Sequence, residues 1–231
     1  MDSSNNVYIA DSGNSEVLKV NTSGSLSIFA GTGTAGTFIA GAATSSKLSS
    51  PVAVAADSSG NIYIADSGDH AVARVNTSGT LSYFAGTGTS GSTNDNNGSA
   101  ATSAKLNSPS GLAVDSNNNV YIADSGNDTV LEVAASTGDI AIVAGTNGSA
   151  GFSGDGGAAT SAKLHAPKGV GVDTNNNLYI SDSTNERIRF VTGAYGTIST
   201  IAGDGTAGYT GNGAAATSAE IDAPNSTAAS R

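Results

Sequence analysis

Apolar residues in this chain come in short bursts closed by polar turn formers, with no long amphipathic stretch. Val120, Tyr121, Ile122 and Ala123 form one burst, and Asp124, Ser125, Gly126 and Asn127 close it. β-Branched and aromatic runs of this length, bounded by Asp, Asn, Ser and Gly, predict strands. Upstream, Gly111 to Val114 follow a proline and end in the turn cluster Asp115 to Asn119. Downstream, Thr129 to Val133 and Ile140 to Val143 flank a further turn at Ser136 to Gly138. Four short strands are therefore predicted. A segment of roughly twenty residues rich in Gly, Ala, Ser and Thr follows, and its Ala-Thr-Ser-Ala-Lys-Leu patch predicts one helical turn. Structureless loops longer than about 15 residues are uncommon and often functional.

The pattern recurs. DSSNNVYIADSGN begins at Asp2, DSSGNIYIADSGD at Asp57, DSNNNVYIADSGN at Asp115 and DTNNNLYISDSTN at Asp173. All four prolines (Pro51, Pro109, Pro167, Pro224) occupy one repeat position, and Tyr8, Tyr63, Tyr121 and Tyr179 occupy another. Fixed-period repeats of four antiparallel strands predict an all-β fold of β-propeller blades rather than a stacked solenoid. The repeats run approximately over 2–56, 57–114, 115–172 and 173–231 of one propeller domain. The first copy lacks a first strand, and residues 224–230 align with Pro109 to Asp115. The C-terminal segment is therefore expected to supply that strand, pair with the N-terminal blade and close the ring, which removes an open edge. Thr227, Ala228 and Ala229 make it a weak strand beside Leu112, Ala113 and Val114.

Composition narrows the function classes. Nine basic and nineteen acidic residues among 231 give a net charge of −10, which repels phosphate backbones and argues against nucleic acid. Eight of those acids are the repeat's own turn aspartates, so much of the charge follows from building the blade four times. Without cysteine there is no disulfide framework, thiolate metal site or cysteine nucleophile. No apolar run reaches the ~18 residues of a membrane helix, so no membrane partner is expected. Six Asn-x-Ser/Thr sequons carry little weight in so Asn- and Ser-rich a chain.

The pattern P-x-G-(V/L)-x-V-D-x-x-x-N-(V/L)-Y-I-(A/S)-D-S-x-N, best seen from Pro167 to Gly203, resembles the NHL-repeat family. The loop AGFSGDGGAATSAKL from Ala150 to Leu164 is similar to the long-loop bacterial version. The resemblance implies a β-propeller that binds proteins, glycans or RNA, or serves as an extracellular sensor or scaffold. Some similar propellers are enzymes, including amidating lyases and calcium- or zinc-dependent lactonases. NHL rings usually have six blades. A closed four-bladed ring, part of a larger ring and two chains assembling together all stay open.

In a propeller the Asp-Ser-Gly-Asn turns and the long loops share a face, and loops on a rigid scaffold are where binding concentrates. The repeated Asp11, Asp66, Asp124 and Asp182 read as turn formers, as do Asp2, Asp57, Asp115 and Asp173. The repeated tyrosines read as packing between blades. Lys19, Arg74 and Arg189 alternate with apolar residues on third strands and read as exposed, with Glu132 in the same slot. Residues that break the repeat are the binding candidates: Phe152 and Asp155 in one loop, Tyr209 and Asn212 in the same places of another. An aromatic beside Asn or Asp suits a sugar or a protein segment, and equally fills space between neighbouring loops. Lys168 stands beside a first strand and is expected to point into the central opening, with His165 nearby.

Catalytic groups are not found. Gly31 to Gly36, Gly86 to Gly91 and Gly203 to Gly208 spell G-x-G-x-x-G, but no helix follows to hold a phosphate. Thr93 to Gly98 partly matches a calcium loop, yet Thr93 and Ala104 stand where its first and last ligands belong. Asp95 and Asp155 remain weak calcium candidates, and no cofactor is otherwise expected. First-strand segments around Val52, Ser110, Lys168 and Asn225 bring no carboxylate or histidine to the inner rim, and His70 and His165 sit at different repeat positions. The sequence reading is a non-enzymatic scaffold that recognises a protein or glycan through its long-loop face. It stands as a monomer or a self-assembling fragment, with the resemblance leaning to an extracellular or cell-envelope setting. A calcium-dependent lyase or lactonase-like enzyme, and a structural segment of a longer NHL array, are the alternatives.

Overall fold

Each repeat is built on an aspartate whose carboxylate does for its turn what water would otherwise do. In this computed structural model, which describes residues 1–92 and 98–229, Asp115 accepts the amides of Asn117 and Asn119, the Asn119 side chain and the Tyr121 hydroxyl. Asp2, Asp57 and Asp173 hold their turns in the same way. Each turn thereby delivers the chain into a second strand in a fixed register.

The described residues form four antiparallel sheets. The first is β1 (Val7–Asp11), β2 (Glu16–Val20) and β3 (Leu26–Gly31). The second adds β4 (Gly41–Ala42) outside β5 (Pro51–Ala56), β6 (Ile62–Asp66), β7 (Ala71–Val75) and β8 (Thr80–Ala85). The third adds β9 (Ser99–Ala100) outside β10 (Pro109–Val114), β11 (Val120–Asp124), β12 (Thr129–Val133) and β13 (Asp139–Ala144). The fourth is β14 (Pro167–Val172), β15 (Leu178–Asp182), β16 (Arg187–Val191) and β17 (Ile198–Ala202). β4 and β9 belong to long loops that reach forward from one repeat and hem the outer edge of the next sheet. The Ala-Thr-Ser patches form single 3₁₀ turns rather than α-helix, at Ala43–Ser45, Ala101–Ser103, Ala159–Ser161 and Ala216–Ser218.

The sheets stack front to back, and the core lies in the seams. Val17 and Ala30 of the first sheet pack on Ile62, Ile64, Val75 and Leu81 of the second. Tyr63 and Val72 on the second sheet's other side meet Val120, Ile122 and Ile140 of the third. Tyr121 and Val130 in turn meet Val170, Ile180 and Ile198 of the fourth, with Leu164 of the intervening loop. Tyr8, Tyr63 and Tyr121 therefore pack between sheets, as their repetition predicts. Tyr63 meets Phe84 edge to face at 4.6 Å, and Tyr8 meets Phe29 at 4.8 Å.

Two expectations change. Lys19, Arg74 and Glu132 do share a slot, opposite Tyr8, Tyr63 and Tyr121, but Phe190 and not Arg189 fills it in the fourth sheet. None of the four charged residues is exposed: Lys19 and Arg74 are half-buried, and Glu132 and Arg189 are buried. Each lies on a strand flanked on both sides by other strands of its sheet. The expected C-terminal strand is also different. Residues 219–229 carry no strand, and among the described residues no ladder joins them to β1. The segment instead lies on the fourth sheet, where Thr227 donates to the Tyr179 carbonyl at 2.8 Å and Ser183 holds the Pro224 carbonyl.

Leu164 fills the seam between the third and fourth sheets and is fully buried. Leu164→Ala is expected to cost about 2–5 kcal/mol in chemical denaturation. A loss under ~1 kcal/mol would mean that the seam is not tightly packed.

Candidate functional site

The turns after the second strands and the long loops share a face, because the turn residues hold the loops. Asp66, Asp124 and Asp182 accept the backbone amides of Ser49, Asn107 and His165 at 2.7–2.8 Å. Asn127 and Asn185 donate to the loop carbonyls of Gly91 and Gly151. One residue further on, the chain is left-handed at Ser15, His70, Asp128 and Glu186. Three of these side chains accept the amide that precedes a repeat proline: His70 from Ser108, Asp128 from Ala166, and Glu186 from Ala223. The His70 ring is therefore a turn acceptor, with its Nδ1 occupied by the Ser108 amide.

Burial governs these carboxyls. It raises Asp66 to about 7, partly offset by the Ser49 amide, with the charge of Asp69 adding to the rise. It raises Asp124 to about 7 as well, against the bonds from Asn107 and Asn127. Asp182 is also raised by burial, with Asn185, His165 and Arg189 pulling it back.

Two of the five binding candidates come together around a residue that sequence reasoning misplaced. Arg189 is fully buried and pairs with Asp182 at 3.1 Å and with Asp155 at 2.5 Å. Asp155 also accepts the Thr200 amide. Its slight burial works to raise its carboxyl, and the bonds from Thr200 and Arg189 outweigh that and hold it below the ordinary range. Phe152 lies over Arg187 at 3.9 Å and Arg189 at 4.8 Å, and is still 43% exposed. The signal was in the repeat: Leu18, Ala73 and Leu131 fill the slot where Arg189 stands, opposite Ile9, Ile64, Ile122 and Ile180. A charge in an apolar slot calls for a partner, and Asp155 occurs only in the loop that covers it.

The other candidates lie apart. Lys168 is exposed and lines a cavity with Val52, Ser110 and Asn225. Tyr209 is 93% exposed, and Asn212 is exposed in the same loop. Asp95 lies outside the described residues. Among the described residues no three His, Asp or Glu side chains converge on one point, and the Asp155 carboxylate is taken by Arg189 and Thr200.

The sequence model of the teneurin NHL domain matches residues 1–134 and 128–224. Human teneurin-4 is 34% identical over an alignment of 99 positions that covers 38% of this chain and 4% of teneurin-4. Among solved structures, a Bacteroides thetaiotaomicron structural genomics protein matches 97% of this chain and 51% of its own length, at 18% identity and a TM-score of 0.67. A nidogen/laminin complex chain matches 99% of this chain and 66% of its own, at 16% identity and a TM-score of 0.65. This chain thus spans half to two thirds of those structures and a small part of teneurin-4.

Arg189→Met leaves Asp182 buried without its cation and is expected to cost about 3–5 kcal/mol in denaturation. A cost below ~1 kcal/mol would show that Arg189 does not anchor the loop. The raised aspartates set a pH trend. A carboxyl at about 7 in the fold against 3.8 unfolded stabilises the fold fully below 3.8 and loses that contribution as pH rises through 7. Melting temperature is expected to fall between pH 4.5 and 8, and Asp66→Asn to flatten the slope. A profile that rises over that range would contradict these assignments.

Proposed function

The chain belongs to the family of the teneurin NHL domain, and on that premise we propose that it is a non-enzymatic binding scaffold that holds a protein partner against its long-loop face. Phe152 carries this reading. Even with two arginines beneath it and the next sheet in place, it presents nearly half of its surface to solvent. Tyr209 repeats the feature one loop further on. Exposed aromatics on a rigid base are the side chains that dominate protein interfaces. A structural neighbour is a chain of a nidogen/laminin complex, which supports a protein rather than a glycan as partner.

In the finer reading, the stacked sheets are an arc of a propeller ring, residues 224–229 serve as a first strand, and the protein works outside the cell. The calcium-dependent lyase or lactonase is the weaker reading, since His70 and Asp155 are both committed to holding the fold.

The test is interferometry against a panel of purified extracellular-matrix proteins and a glycan array, with wild type and the Phe152→Ala/Tyr209→Ala double variant. A partner is expected whose Kd weakens at least tenfold in the double variant, or about 1.4 kcal/mol, with an unchanged melting temperature. A partner bound equally well by the double variant would remove the loop face from the reading. Calcium-dependent turnover of a lactone would replace the reading with the enzyme.

A further inference from the structure

The chain carries a net charge of −10, yet its solvent-facing charge is distributed unlike that total. Eight of the acids are buried. Among the described residues the exposed carboxylates are Asp155, Asp204 and Asp222, and Arg189 holds the first. The exposed basic side chains are Lys47, Lys105, Lys163 and Lys168. Among the described residues none of these four stands within ion-pair distance of a carboxylate. All four belong to the long-loop face: three sit in the loops, and Lys168 follows the proline at the end of the third.

Lys47, Lys105 and Lys163 are one position of the repeat, each just before the leucine that fills a seam, Leu48, Leu106 or Leu164. The backbone there is the same three times. The carbonyls of these leucines accept the amides of Gly36, Gly91 and Gly151 at 3.0–3.2 Å. Each lysine stem lies on that glycine. A Cβ added to Gly36, Gly91 or Gly151 would come within 2.8, 2.9 or 3.4 Å of the Cδ of Lys47, Lys105 or Lys163. No left-handed φ requires a glycine at Gly91, and its missing side chain leaves room for the Lys105 stem. A long side chain laid on such a shelf has already lost part of its rotamer freedom, so less is lost when a partner binds.

In the third loop the shelf also brings the lysine to an exposed aromatic. Phe152 stands between Gly151, under Lys163, and Ser153, whose hydroxyl accepts the Lys163 amide at 3.2 Å. In the fourth loop Glu220 takes the lysine's position, over Gly208, so the basic row spans three loops and ends. The carboxylates beneath the row are turned inward. Asp66, Asp124 and Asp182 are buried on loop amides, and Asp69 and Asp128 on the amides of Phe38 and Ala166. At physiological salt a surface charge is felt over about 8 Å, so an approaching segment meets the exposed lysines before the buried acids.

We propose that the long-loop face binds an acidic segment of a partner protein, its carboxylates meeting Lys47, Lys105 and Lys163 in turn and an apolar residue resting on Phe152. This rests on the reading of the loop face as a protein-binding surface and adds the partner's chemistry. Spacing favours a protein segment over a sulfated glycan or nucleic acid. Dense polyanions select runs of Lys and Arg, whereas each lysine here has Ser or Ala before it and Leu after it. Equivalent points on stacked sheets lie about 10 Å or more apart. An extended segment at about 3.3 Å per residue therefore meets one lysine every three residues or more.

The probe is a labelled peptide of about twenty residues, alternating Glu and Ser with one central Phe, which reaches ~66 Å when extended. Its Gln counterpart and a heparin fragment are the comparators, read by fluorescence anisotropy. Wild type is expected to bind the Glu peptide at least tenfold tighter than the Gln peptide. Lys47→Gln/Lys105→Gln/Lys163→Gln is expected to weaken the Glu peptide at least tenfold with an unchanged melting temperature. Ser23→Asp/Ser78→Asp/Ser136→Asp makes the same change of net charge in exposed turns at the other end of the sheets, and is expected to shift affinity less than about threefold. Equal binding by the lysine variant, as large a loss in the serine variant, or no binding of the Glu peptide up to about 1 mM would each overturn the proposal. Heparin bound at least tenfold tighter than the peptide, and lost in the lysine variant, would give the row to a sulfated glycan and overturn it too. The loop-face reading is tested apart from this. A protein partner that loses affinity in Phe152→Ala/Tyr209→Ala but not in the lysine variant would keep that reading and sink the acidic segment.

Discussion

A sheet in this chain is apolar on both faces. Consecutive residues of a strand point to opposite sides, so a run such as Ile62, Tyr63, Ile64, Ala65 puts Ile62 and Ile64 on one face and Tyr63 and Ala65 on the other. No sheet of this kind can bury itself alone. Stacking front to back is the arrangement that covers both faces of each inner sheet with the same few side chains. The repeat follows from this demand: what one sheet offers on its back, the next must receive on its front, and one solution serves three times. A charge that enters a seam has to be paired there, as Arg189 is, and the repeated aspartates lie in the turns.

Stacking covers side chains and leaves the backbone groups of turns and outer edges to be satisfied separately. Two devices do this. The turn aspartates take several donors each, which is how Asp57 and Asp115 can be buried without a cation. The long loops travel forward and add a short strand to the next sheet's outer edge, Gly41 and Ala42 on β8, Ser99 and Ala100 on β13. A long loop here is therefore not free chain between two sheets. It is the strap by which one repeat grips its successor.

Strands, turns and repeat period were legible in the sequence because each has a local cause: β-branched runs, Asp-Asn-Gly clusters, and prolines at one position. The roles of Asp2, Asp57, Asp115 and Asp173 were legible for the same reason. Arg189 was not, because its environment is set by a loop thirty-four residues upstream and by a slot that only exact register reveals. An offset of one residue turns an inner arginine into an outer one, since the strand period is two. His70 looked like an isolated imidazole, and its work as the acceptor of the Ser108 amide emerges only when three repeats are laid over one another in space. The pairing of residues 224–229 with the first sheet is not seen among the described residues, and the sequence itself marks that segment as a weak strand, with Thr227, Ala228 and Ala229 where Leu112, Ala113 and Val114 stand.

The Arg189 cluster bears on how such a surface can diversify. Phe152 and Asp155 sit on a loop of the third repeat, but the groups that hold them, Arg187, Arg189 and Thr200, belong to the fourth sheet. A change in the loop that removed Asp155 would leave a fully buried guanidinium with Asp182 as its remaining carboxylate, and a buried charge that loses a partner is strongly destabilising. Loop and following sheet therefore have to change together. In the second repeat no such coupling exists at this slot, where Ala73 takes the place of Arg189, and the preceding loop is anchored instead by the Phe38 amide on Asp69 and by Phe38 stacking on Tyr83 at 4.1 Å. The first and third seams thus carry two chemically different anchors for the same loop. The anchor in each case is read from the sheet that receives the loop, so the surface a partner would meet is specified one repeat further along the chain than the residues that form it.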